Sequence, residues 1–152
     1  MKRPIALLLL ASIFLLFSCS GVEVSPSDTV LAFREGYLPS GRIYLSNAEE
    51  GGEYYAPRGL LSDMLLFSPS DTARWALLLH SRLDYTAELG IFTPGDSEEG
   101  LRIYEACLSR IVLLRQVGVL GEGFAFLHRG AVIYGFFPNG DEARSYLMGI
   151  LK

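Results

Sequence analysis

Few residues in this chain are equipped for chemistry. Among 152 residues there are two histidines, two cysteines and one tryptophan. A zinc site needs three or four ligands at suitable spacing, and His80, His128 and Cys107 lie far apart in the sequence, so no metal ligand set is expected. No G-x-G-x-x-G follows a strand and no G-x-x-x-x-G-K-[ST] occurs, so no phosphate-cradling loop and no cofactor is expected. The densest glycine cluster, Gly118, Gly121 and Gly123, fits neither pattern and reads as a connecting loop, with Gly118 closing a helix. A G-x-S-x-G elbow is missing as well. Ser81 and Asp84 sit beside His80, but neighbours on one turn rarely face one another productively. No catalytic residue is assigned on these grounds.

Lysine is almost absent: after Lys2 the chain has only Lys152. Its formal net charge is −4. Residues 1–18 hold two of the thirteen basic residues and none of the seventeen acidic ones, so without them the charge is −6. Nucleic-acid binding needs a basic footprint and is excluded. A polybasic membrane patch is excluded by the same reasoning.

Long apolar runs are lacking too. The longest, Ile5–Phe17, is thirteen residues with only Ser12 polar. Crossing a bilayer takes about 20 such residues, so this run reads instead as the apolar part of a signal peptide, behind the basic Lys2 and Arg3. It ends in Leu16-Phe17-Ser18-Cys19, which resembles the bacterial lipobox, with Phe17 bulkier than that position usually carries. The resemblance implies cleavage before Cys19 and acyl chains on Cys19. Two or more chains anchor a protein stably, so the membrane, reached through this anchor, is the first expected partner.

The expected organisation is a signal peptide over 1–18, a lipidated and polar tether over 19–37, and a single domain over 38–152. Arg42–Ser46 reads as a short strand, and Pro57 opens a helix carrying Leu60, Leu61, Met64 and Leu65. Trp75–His80 and Tyr85–Phe92 read as a hairpin about Ser81–Asp84. Asp96 is an N-cap with Glu99 in capping-box position. The following helix, Ser97–Val117, presents Leu101, Tyr104, Leu108 and Ile111, widened by Ile103, Cys107 and Leu114. A second hairpin turns at Arg129-Gly130, and a last helix starts from Asp141 with Ala143, Tyr146, Leu147 and Ile150 on one face. The fold class is α+β: a small antiparallel sheet of two hairpins with helices packed on one face. Cys107, left without a disulfide partner if Cys19 is lipidated, reads as a small buried hydrophobe.

Glu88 is the acid that stands out. It interrupts an apolar strand, and the plain expectation is a side chain facing solvent on the open side of the sheet. The sharper one is a carboxylate that faces a partner or pairs with an arginine such as Arg110.

The segment from about Leu38 to Leu151 resembles a family of small, uncharacterised lipoproteins of clostridia and related Firmicutes. The residues carrying it are Leu38-Pro39-Ser40-Gly41-Arg42-Ile43-Tyr44, the Glu49-Glu50-Gly51 loop, Leu60-Leu61, Ala87-Glu88-Leu89-Gly90-Ile91-Phe92 and the closing hairpin and helix. The resemblance implies a fold and a location and adds no catalytic residue. The expected function is that of a non-enzymatic binding module on the outer side of the cell membrane, with an envelope protein as partner. A small envelope hydrolase using His80 or His128 is the alternative.

Overall fold

The computed structural model describes residues 23–81 and 85–152. The leader, Cys19 and part of the Ser81–Asp84 turn lie outside the described residues. Five strands form one antiparallel sheet: β1 (Arg42–Leu45), β2 (Arg74–Ser81), β3 (Thr86–Thr93), β4 (Glu122–His128) and β5 (Ala131–Phe137), in the order β1-β2-β3-β5-β4. Four helices accompany them: α1 (Pro26–Gly36), α2 (Leu60–Leu65), α3 (Ser97–Gln116) and α4 (Gly140–Ile150). The fold is α+β, as the element pattern predicts.

The helices do not gather on one side. On one face of the sheet, Val30 and Phe33 of α1 and Ala143 and Leu147 of α4 pack on Leu78, Leu89, Ile91, Ile133 and Phe137. On the other, Leu61 and Met64 of α2 and Ile103, Cys107 and Ile111 of α3 pack on Leu77, Phe92, Val132, Tyr134 and Phe136. The physical reason lies in the central strands. Alternate side chains of a strand point to opposite faces, and every residue of β5 is buried. A strand apolar on both faces needs cover on both. Among the described residues, both faces of the central strands are covered.

Residues 26–36, expected as part of a tether over 19–37, form helix α1 instead. Ser25 caps α1 through its hydroxyl, Pro26 occupies the first turn, and Val30 and Phe33 are fully buried. A serine cap followed by proline is a strong helix start. The folded domain therefore includes α1, and Val24 just ahead of it is also buried.

Two local expectations shift by small amounts. Asn139, not Asp141, caps α4: its Oδ1 accepts from the Glu142 N–H at 3.3 Å, and its Nδ2 donates to the Glu142 carboxylate at 3.0 Å. Helix α3 is rotated from the expected stripe. It buries Gly100, Ile103, Cys107, Ile111 and Leu114, while Leu101 is 57% and Leu108 40% exposed. Both stripes are helical in period. The β4–β5 turn is as read, with Arg129 and Gly130 both at positive φ, 47° and 79°, the geometry of a tight hairpin. Gly135 serves packing: a Cβ there would fall 2.3 Å from the Phe124 ring.

Helix α3 is fixed at its start by two acids. Asp96 accepts from the Glu99 N–H at 2.8 Å. Glu99 does not complete a capping box. It is 4% exposed and accepts from the Ser70 N–H at 2.5 Å, the Gly95 N–H at 2.6 Å and the Ser70 hydroxyl at 3.1 Å. This clamps the segment before β2 to the top of α3. Burial opposes the charge, yet these donors outweigh it and hold the Glu99 carboxyl below its ordinary value of 4.5. A lowered folded pKa contributes stability above the unfolded value and loses it as pH falls through the folded one. Glu99→Gln is expected to be about 1–2 kcal/mol less stable than wild type at neutral pH, with the gap closing in acid. Urea unfolding from about pH 7 down to about pH 2 tests this; a gap that stays constant contradicts it.

Candidate functional site

Strand β3 directs Thr86, Glu88, Gly90 and Phe92 to the face covered by α2 and α3, which places a carboxylate inside the protein. Glu88 is 4% exposed and does not face solvent. Arg110, in the second half of α3, reaches down to it with two parallel bonds, Nη2 to Oε1 at 2.7 Å and Nε to Oε2 at 3.2 Å. Tyr134 of β5 donates its hydroxyl to Oε2 at 2.5 Å. The Arg-paired reading of Glu88 matches this geometry.

Removing a carboxylate from water costs several kcal/mol unless it is paired and its lone pairs are satisfied. Here three donors from α3 and β5 do both. Burial works against the Arg110 charge, but its bonds to Glu88 outweigh that and raise its pKa. Burial, then the adjacent Glu88 charge, pushes the Tyr134 phenol far up. Tyrosine and arginine therefore keep their protons across the physiological range. Tyr134 carries no signal in the sequence: its phenol reads as one more aromatic of an apolar strand.

A cleft of about 390 Å³ opens beside this cluster. Leu60, Met64, Leu79 and Leu114 form apolar walls, and Asp63 and Thr86 add polar groups. His80 and Ser81 also line it, without a hydrogen bond from His80 to Ser81 or Glu88 among the described residues. Cys107 in α3 is completely buried, and burial raises its thiol pKa strongly, which keeps it a thiol. It packs as the small hydrophobe expected from the sequence.

The rings of both histidines are directed to the other side of the sheet. His80 neighbours Leu79 on β2 and so points to the α1 face. Its Nδ1 is 3.2 Å from the Ser40 carbonyl, which assigns the proton to Nδ1, and its ring centroid is 5.2 Å from that of Tyr85. His128 Nε2 is 3.2 Å from the Leu151 carbonyl. Ser81, next to His80 on the strand, points to the opposite face, and Asp84 lies outside the described residues. His80 and Ser81 thus share the edge of the cleft with Glu88, while the His80 hydrogen bond goes to the Ser40 carbonyl; His128 does not line that cleft. Among the described residues no group of three or more His, Cys, Asp and Glu side chains is placed to hold a metal, and no helix is long and apolar enough to cross a membrane.

The outer side of α3 is the unexpected surface. Leu101, Leu108 and Val112 recur there at spacings of seven and four, with exposures of 57%, 40% and 52%. Leu66, just after α2, is 84% exposed at a positive φ of 53°. A groove of about 430 Å³ runs between Leu66 and the Leu108–Val112 part of the stripe, past Met64 and Leu113. Sequence reasoning places Leu101 and Leu108 in the core; their exposure appears only once the rotation of α3 is known.

Comparison with family models, with curated proteins and with solved structures finds no match for this chain.

Breaking a fully buried ion pair typically costs about 3–5 kcal/mol. The Arg110 side chain keeps 20% of its exposure, so Glu88→Gln should cost about 2–4 kcal/mol. Urea unfolding measures this, and a change below about 0.5 kcal/mol contradicts the description of the pair.

Proposed function

We propose that this chain is a lipid-anchored lipoprotein of the cell envelope, akin to the small clostridial lipoproteins it resembles. Its α+β domain acts as a non-enzymatic binding module for another envelope protein. The anchor rests on the Leu16–Cys19 motif and the short apolar run before it. Acyl chains on Cys19 would hold the domain at the outer surface of the membrane, and the few residues between Cys19 and the buried Val24 would keep it close. The acidic surface supplies no electrostatic docking of its own.

The observation that carries the binding reading is the exposed stripe of Leu101, Leu108 and Val112 on α3, continued by Leu66. Contiguous apolar surface on a small domain marks an interaction site. Spacing along one helix suits a partner that lays a helix or strand against it. The ionisable groups support the same reading from the other side. Glu88 is spent on Arg110 and Tyr134, Cys107 is held as a buried thiol, and each histidine is tied to a backbone carbonyl. A hydrolase would need a nucleophile, base and acid that bond to one another in a pocket; His80, Ser81 and Glu88 line one cleft, but Glu88 bonds to Arg110 and Tyr134 and His80 to the Ser40 carbonyl.

Two arms test the proposal. Wild type should take up labelled palmitate and fractionate with membranes, and Cys19→Ala should do neither; label-free wild type would remove the anchor. A photo-crosslinking side chain at Glu105, which sits along the α3 stripe, should give a discrete adduct in intact cells. The same group at Arg144 on α4 should not. Equal adducts at both positions, or none at Glu105, would remove the assignment of α3.

A further inference from the structure

The two edges of the sheet differ. On β1, the Leu45 N–H donates to the Tyr54 carbonyl at 3.0 Å and Leu45 bridges to Tyr55, so a loop covers that edge. Strand β4 forms the other edge. Its two-residue turn makes His128 and Ala131 a hydrogen-bonded pair. Every second residue back from His128 then bonds to β5, which leaves the N–H and C=O groups of Gly123, Ala125 and Leu127 pointing away from the sheet. The same alternation, carried across the sheet, agrees with the Ser46 N–H donating to the Trp75 carbonyl at the far side. Among the described residues, no loop or helix backbone bonds to Gly123, Ala125 or Leu127. None of the three is buried, and Leu127 is 48% exposed.

Proteins commonly block such an edge with lysine, proline, a bulge or a very short strand. Strand β4 has none of these. It runs for seven residues, carries no lysine or proline, and pairs with β5 without a bulge. Its ends differ in charge: Glu122 is exposed at the start, and His128 and the exposed Arg129 stand at the finish. An antiparallel copy of the same strand complements it in hydrogen bonds and in charge. With Ala125 opposite Ala125, Gly123 of each copy faces Leu127 of the other, and every outward N–H and C=O of these residues finds a partner. The same register sets Glu122 beside His128 and Arg129 of the second copy, which matches opposite charges.

We propose that β4 is a dimerisation edge, which pairs antiparallel with β4 of a second copy of this chain about a two-fold axis between the two Ala125 residues. The two five-stranded sheets then run on as one. The same patch serves both copies, so the contact closes as a dimer and does not propagate. It lies on a sheet edge and not on the α3 stripe, so it stands independently of the lipid anchor and of the protein partner.

Sedimentation equilibrium of the purified full chain in mild detergent tests this, with Cys19→Ala throughout so that neither acyl chains nor that thiol contribute. The chain should sediment as a reversible dimer. Leu127→Lys puts a charge on an exposed position of the edge and should weaken dimerisation at least about tenfold. Oxidative crosslinking checks the register. The two Ala125 Cα atoms should lie about 5.5 Å apart, within the range of about 4.4–6.8 Å that a disulfide spans. The two Leu127 residues should lie more than about 13 Å apart. Ala125→Cys should therefore give a disulfide-linked dimer and Leu127→Cys should not; Cys107 is completely buried and does not interfere. A chain that stays single, a dimer that Leu127→Lys leaves intact, or crosslinking at 127 equal to that at 125 would each overturn the proposal. A single chain that captures a different protein through a photo-crosslinking side chain at Leu127 would give the edge to a foreign strand and overturn it too.

Discussion

The Glu88 carboxylate ties the fold together. It sits inside an apolar layer and must be met there by donors, because an unpaired buried charge costs more than most single interactions supply. Arg110 comes from α3 and Tyr134 from β5, so satisfying one acid fixes how α3 lies across β3 and β5. That rotation of α3 turns Ile103, Cys107 and Ile111 inward and leaves Leu101, Leu108 and Val112 on the outside. The exposed apolar stripe is thus a consequence of where the buried acid had to find its arginine. Glu99 reinforces the placement at the other end of the helix through Ser70 and Gly95.

Much of this architecture is legible along the chain. Turn chemistry marks both hairpins, and the Asp96 cap sets the start of α3 within a residue. The buried status of Cys107 follows from its apolar neighbours. What misleads is composition. Ser25-Pro26-Ser27 looks like linker, yet the same residues are a helix cap and first turn, and only Val30 and Phe33 reveal that the segment belongs to the core. The uninterrupted apolar run of β5 already implies cover on both faces. The expectation of helices on one side overlooks it.

The site is less legible, for a reason of distance. Glu88 stands out because an acid in an apolar strand has few ways to be stable, and Arg110 is a reasonable partner by type. Tyr134 lies 46 residues away in sequence and nothing local marks it. The outer leucines of α3 are hidden by an ambiguity of period, since two helical stripes of similar hydrophobicity compete for the core.

The central claim is that the charged centre of this domain is structural and that function lies on its surface. The most direct measurement replaces the pair as a unit. Glu88→Met with Arg110→Met exchanges a buried ion pair for apolar residues of similar length, a change that is often neutral or stabilising. The account predicts that this protein folds and yields the same crosslinked adduct from Glu105 in intact cells as wild type. A folded double variant that has lost the adduct would contradict it, because the buried pair would then belong to the function.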